Sequence, residues 1–496
     1  RRDGSEQENM GTNNASNSTR TTPIPQDNTT NAVLAKLVFD ANDQNRTRLT
    51  YDHMDRKTYY DVLNAIAVPP FAATSVIGLK ATDSTHRDRV SLDHRYTSDS
   101  GFIREARASV YWQNATTNEY SAEDRFTAVD RTRVGTFDNR VVGGALELHS
   151  RFDGGAAEHH VVYGGDYSTT RQEGIRGGTV LAGLYVQDEI SLLDGRLTAY
   201  PALRYDHFEI DPTKSDPLYT LATPSGSKDS QVSPKLGLVF DVTPAVNVFV
   251  NYAVGFKAPS PSQVNNGFAN PTQNYRSISN PDLKPETSVS WEGGLRLKGD
   301  IGSVGFTAFT GEYEDFISQV MVRGTFTPND PAIYQFTNLS NVEISGAEAR
   351  GQASLGGGFA LSLAAAYAKG TMTTNGVETP LDTIDPFKVV AGLSWRDPGA
   401  RFGGALLFTH ADNKKPSKTG GACGVNYFTA GAVNVFDATA YWNITPTVSL
   451  RGGVFNLTDE KYWWWSDVRG LTTSSAVLDN YTQPGRNFSL SLSVKL

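Results

Sequence analysis

Apolar and polar residues alternate with a period of two over long stretches of this chain. Val246, Val248, Val250, Tyr252 and Val254 take the even positions of one segment, with Asn247 and Asn251 between them. From Val289 the apolar set moves to odd positions: Val289, Trp291, Gly293, Leu295 and Leu297 face Ser288, Ser290, Glu292, Arg296 and Lys298. Ala347, Ala349, Gly351, Ala353 and Leu355 alternate with Glu348, Arg350, Gln352 and Ser354. Ala106, Ala108, Val110 and Trp112 alternate with Glu105, Arg107, Ser109 and Gln113. Successive side chains of a strand point to opposite faces, so this period predicts strands with one apolar and one charged face. About twenty such segments can be traced.

Two architectures satisfy that pattern. In a soluble sandwich the apolar face meets a core and the polar face meets water. In an outer-membrane barrel the apolar face meets lipid and the polar face lines a lumen. The polar face carries dense charge of both signs. The apolar face is rich in Ala, Gly and Val, with Tyr252, Trp291, Trp395 and Trp442 near strand ends, as aromatic girdles require. The connections decide the matter. Short ones fall at residues 193–196, 241–245, 299–302, 356–358, 397–400 and 443–447. Long ones fall between them, at 211–230, 255–286, 321–340, 370–386, 411–430 and 458–485. Short turns at one end and long loops at the other are the layout of outer-membrane barrels, periplasmic and extracellular respectively. The expectation is an all-β fold: a large antiparallel transmembrane β-barrel with about 20 of an expected 22 strands present.

Composition narrows the classes. The chain has 496 residues, 46 of them Gly, and a formal net charge of −8, which disfavours nucleic acid as a partner. Its single Cys423 excludes an internal disulfide framework and a Cys-based zinc site. No run of eighteen apolar residues encodes a membrane helix. The chain opens RRDGSEQENM, without an initiator Met or an apolar leader. The natural protein is therefore expected to begin upstream, with residues 1–31 a polar extracellular loop and truncated strand, and 32–496 the barrel.

Four stretches resemble TonB-dependent outer-membrane receptors: NLSNVEISGAEARG at 338–351, NLTDEKYWWW at 456–465, QPGRNFSLSLSVKL at 483–496, and the loop at 255–287. That loop resembles the haem and haemoglobin branch of the family. There, Phe-Arg-Ala-Pro and Asn-Pro-Asn-Leu boxes bracket one extracellular loop. Here they read Phe256-Lys257-Ala258-Pro259 and Asn280-Pro281-Asp282-Leu283. The resemblance implies import of haem or haem-iron as the transported ligand, with no intrinsic cofactor and no enzymatic activity. It implies a monomer in the outer membrane that works with the TonB complex through an N-terminal plug absent from this chain. Haemoglobin or a haemophore is the implied outside partner. Receptors for siderophores, vitamins or glycans, passive porins or adhesins, and membrane hydrolases are the alternatives. No nucleophile elbow, phosphate loop or zincin helix occurs.

The departures from that branch are specific. Residues 260–279 contain no His, where the family places a haem ligand, and Lys257 stands for the box Arg. Leu496 ends a terminal strand that usually ends in Phe. Tyr275 is the side chain between the boxes able to ligate haem iron, and the expectation places it at an exposed apex. The ligand candidates are Phe256, Lys257, Pro259, Tyr275, Asn280, Pro281, Leu283 and His410. His410 is a second candidate for haem or metal, at a strand top before a long loop. His53, His86 and His94 share similar rim settings. His159 and His160 point oppositely and form no metal pair. Asp40, Asn42 and Asn45 read as a turn rather than a calcium loop. Tyr462 to Trp465 are expected in the interfacial aromatic girdle.

Overall fold

The computed structural model describes residues 2–5, 8–173, 177–212, 224–267, 269–270, 274–374, 376–415 and 426–495. Cys423 lies outside them. They form one sheet of 23 strands. Twenty make a meander in which each strand pairs antiparallel with the next, from Arg2–Ser5 and Gln26–Asn42 to Val448–Phe455 and Asn487–Val494. Three short strands, Ala269–Asn270, Tyr275–Ile278 and Val377–Pro380, belong to the loops. No described helix is long and apolar enough to cross a membrane. Strands do the crossing.

Directly opposed residues share a face, so the register carries the face assignment around the sheet. Val248 opposes Leu295, Leu295 opposes Phe306, and Phe306 opposes Ala349. The row continues through Ala365 and Val389. This face keeps its large apolar side chains exposed, Trp291 at 52% and Phe306 at 49%, as a lipid-facing band must. The alternate residues Glu292, Arg296, Glu348 and Arg350 line a concave space of about 840 Å³ on the opposite, lumen side. There Arg350 pairs with Glu348 at 3.3 Å, and the Arg296 guanidinium lies 4.4 Å from the Phe249 ring centre.

The short turns fall where the sequence puts them. Between Ala332–Gly356 and Phe359–Thr374, three successive glycines, Gly356, Gly357 and Gly358, have φ of 81°, 60° and 86°. Residues with a Cβ adopt that left-handed region at a cost, which explains the glycine run. Asn42 closes another turn, its side chain accepting from the Gln44 and Asn45 backbone N–H groups at 3.0 and 2.9 Å. Two of the long connections, 321–340 and 370–386, continue over about half their length as strand above the membrane. Gly302–Arg323 has 22 residues and Ala332–Gly356 has 25, where about 9–11 suffice to span. Within residues 1–31, strand occurs at Arg2–Ser5 and again from Gln26.

The two ends of the sheet approach each other at the extracellular rim. Asn9 donates its side-chain amide to the Asn480 carbonyl at 3.0 Å, and the Met10 N–H donates to the Thr482 hydroxyl at 2.8 Å. Among the described residues, Asn487–Val494 pairs on one side only, and Asn31 to Asn42 lack a second strand.

Candidate functional site

The extracellular connections of the described residues fold into a crown with three apolar clusters. The first lies beneath the loop at 258–285. That loop leaves Val246–Lys257 and returns into Glu286–Gly299, two directly paired strands. Its mouth is stapled by Lys257, whose Nζ meets Glu286 at 2.9 Å, while the other Glu286 oxygen accepts the Ile317 N–H at 3.0 Å. A single helical turn, Pro261–Val264, follows, with Ser260 and Gln263 forming a capping box. Val264 and Leu283 are buried against Phe208, Ile210 and Ile317, with Phe256 and Phe336 at the margin. Phe208 and Ile210 are on the lumen side of their strand. Asn265, fully buried, holds the Ser225 N–H and C=O at 2.7 and 3.0 Å.

The two boxes therefore anchor the loop. Phe256 lies 6.0 Å from Phe208, Lys257 closes the mouth, Pro259 is buried and Leu283 enters the cluster. Asn280 donates to the Phe336 carbonyl at 2.8 Å and accepts the Asp282 N–H at 3.1 Å. Pro281 is exposed. Asn338 brackets Lys284, accepting its N–H at 2.8 Å and donating to its carbonyl at 2.9 Å. Tyr275 is placed differently from the exposed apex expected of it. It begins a strand that runs parallel to Ala332–Gly356, and its half-buried ring meets Tyr334 edge-on at 6.1 Å.

His410 lies apart. It opposes Val389 and Asn434 on the outward row, and its Nδ1 meets the Asn434 side chain at 2.9 Å. Two strands, Phe359–Thr374 and Lys388–Arg396, separate its strand from Ala332–Gly356. Tyr275 and His410 do not share a site. His159 and His160 do point apart, to Asp188 at 2.6 Å and to His149 at 3.3 Å.

The second and third clusters correct the girdle expectation for Tyr462 to Trp465. These aromatics sit in the crown. Tyr462 and Trp464 cover Ala411, Val433 and Val435 on the lumen side of the rim. Trp463 and Trp465 pack with Ala430, Val468, Phe428 and Leu471. Trp465 is 3% exposed and donates its indole N–H to the Asp382 carbonyl at 2.6 Å. Cations cover the rings: Lys388 lies 4.3 Å from the Trp464 centre and Lys414 5.1 Å from Trp465. Burial pushes the Tyr462 phenol up, with Asp437 and Glu460 adding to the shift. A cleft of about 230 Å³ opens among Trp463, Trp464, Trp465 and Lys388. The sequence held a signal for this. Four consecutive aromatics in a strand would alternate faces, so a lipid girdle could accept only half of them.

A rim with an aromatic cleft that also carries Lys388, Asp385 and Asp412, above a charged lumen, can hold a ligand noncovalently. A family model described as TonB dependent receptor-like, beta-barrel matches residues 11–457. The chain belongs to that family. It is a TonB-dependent receptor barrel of the outer membrane, a family of receptors and transporters rather than enzymes. It is 28% identical over 337 residues to hemoglobin-haptoglobin utilization protein B of Neisseria meningitidis serogroup C, covering 59% of this chain and 41% of that protein. It is 27% identical over 295 residues to a probable hemoglobin and hemoglobin-haptoglobin-binding protein of Haemophilus influenzae, covering 53% and 29%. The chain spans about two fifths of the length of the first of these relatives. Among solved structures, the copper transporter OprC aligns with a TM-score of 0.72 at 16% identity, over 99% of this chain and 74% of that one. The Serratia marcescens hemophore receptor HasR, in complex with its hemophore and heme, aligns with a TM-score of 0.69 at 15% identity, over 99% and 74%. These two likenesses establish the receptor-barrel fold.

Proposed function

We propose that this receptor imports haem, or iron delivered as haem, with haemoglobin or a haemophore as the outside source. The observation that carries the reading is the pair of relatives named for hemoglobin-haptoglobin utilization and for hemoglobin binding, each matching more than half of the chain. The loop at 258–285 supports it, because its two boxes bind it to the rim on the side where a ligand arrives. Haem is the transported substrate here, held by crown side chains without chemistry on it. Energy reaches the ligand through the TonB complex and a plug domain belonging to the rest of the protein. Two unpaired sheet edges cannot face lipid, where each unsatisfied backbone group costs several kcal/mol. Further strands of the full-length receptor close the barrel in this reading.

A ferric siderophore is the second reading, and the lack of His in residues 260–279 favours it. Growth of a receptor-deleted strain complemented with full-length variants separates the two. Removing residues 263–279 would also remove the buried Val264 and Asn265. Deleting 266–274 instead keeps both, along with Leu283, so the barrel should assemble. The expected outcome is loss of growth on haemoglobin or haemin as iron source. Unchanged growth on both overturns the haem reading, and loss confined to a ferric siderophore installs the second one. Tyr275→Phe tests iron ligation alone: weaker haem binding supports it, and unchanged binding removes Tyr275 as a ligand.

A further inference from the structure

Outside the crown, one cluster of metal-ligating side chains sits on the outward face of the barrel. His53 and Asp55 alternate on Asn45–Asp61, and Asp88 and His86 oppose them on Val76–Thr97. Residues two apart on a strand share a face, and opposed residues have Cβ atoms about 5 Å apart. The four therefore make a square of two imidazoles and two carboxylates. His53 Nδ1 lies 2.9 Å from Asp88 and its Nε2 2.9 Å from Asp55. His86 Nδ1 lies 2.7 Å from Asp55 and its Nε2 2.7 Å from Asp88. One ligand atom each from His53, His86 and Asp88 lies within 4.8 Å of the others.

The surroundings hold this geometry. The Tyr51 hydroxyl donates to Asp88 at 2.7 Å, which orients that carboxylate from behind. On the lumen face of the same two strands, Arg87 pairs with Asp52 at 2.9 Å and fixes the register. Leu49, Tyr51, Val90 and Leu92 precede the square on the outward face, and it begins where that apolar band ends. The strand Asn45–Asp61 leaves a short turn, so this end is extracellular. His53 is largely covered and His86 half exposed, which gives an ion a route from outside.

The geometry points to a divalent transition-metal site formed by His53, His86 and Asp88 on the outer surface of the barrel, with Asp55 holding the far nitrogen of each imidazole. Imidazole with carboxylate suits zinc, copper(II) or nickel, whereas magnesium and calcium take oxygen ligands. The ion would bind two imidazole nitrogens and carboxylate oxygens, clamping neighbouring strands just above the lipid. Such a site works independently of the transported ligand.

Calorimetric titration of zinc chloride into the chelator-stripped full-length receptor in detergent tests it, alongside His53→Gln and His86→Gln. A His94→Gln variant serves as control, and unheated gel mobility reports assembly of each. The expected result is one zinc site in the parent and the control that weakens at least about tenfold in both test variants. Copper(II) bound at the site should show coupling to two imidazole nitrogens by electron paramagnetic resonance, reduced in each test variant. No zinc site, or affinity and copper spectrum unchanged in either His53→Gln or His86→Gln, overturns the assignment.

Discussion

At the scale of single residues, the barrel relies on glycines that receive a neighbour's ring. A Cβ on Gly346 would lie 2.6 Å from Phe309 Cζ and 2.4 Å from the Tyr367 carbonyl oxygen. Gly346→Ala must therefore move backbone as well as ring, costing about 1–3 kcal/mol. Thermal unfolding in detergent should show the loss, and an unchanged midpoint would contradict the close approach. Glu123 offers a pH test above the membrane. It lies near the extracellular end of Ile103–Arg125, far past the stretch of about 10 residues that spans lipid. Arg131 and Arg133 reach it at 2.7 Å and Arg125 at 3.3 Å. The Arg131 hydrogen bond first, then the charges of Arg133 and Arg131, hold its carboxyl below the ordinary range against the cost of burial. A depressed folded-state pKa gives stability that is complete above the unfolded value and lost as pH falls through the folded one. Hydrogen exchange at the tip, residues 119–135, should accelerate as pH drops from about 5 to about 3, beyond the intrinsic change, and Glu123→Gln should abolish that dependence. Equal pH profiles in the two proteins would contradict the clamp.

At the scale of elements, the strands were legible because lipid and lumen impose a strict period of two. The register confirms that Val289, Trp291, Leu295 and Ala349 share one face and Glu292, Arg296, Glu348 and Arg350 the other. Ala349→Arg, about mid-band, should cost about 2–4 kcal/mol and lower the yield of assembled barrel, while Arg350→Ala should assemble. The reverse outcome would invert the faces. The glycine turn at 356–358 was equally plain. The crown was not, because loop side chains answer to partners distant in sequence. Trp465 finds the Asp382 carbonyl, and Asn338 finds the backbone of Lys284. No local pattern encodes such pairs. The His53 and His86 square was also hidden, since its members are ordinary alternating residues until the register sets them opposite Asp88 and Asp55.

At the scale of the whole molecule, a charged lumen under an aromatic crown suits a transporter whose ligand is caught outside and drawn inward. The wall alternates charges of both signs, as a surface that meets a polar plug would. The crown offers a flat, aromatic ligand the Trp464 indole, with the Lys388 ammonium 4.3 Å from its centre. The central claim is that haem is the ligand, and spectroscopic titration of the purified full-length receptor tests it most directly. Haem added to the receptor should shift and sharpen the Soret band to saturation at one equivalent, and deletion of residues 266–274 should weaken that binding. A Soret band that stays at the position of free haem, while ferric siderophores saturate the same receptor, would contradict the account.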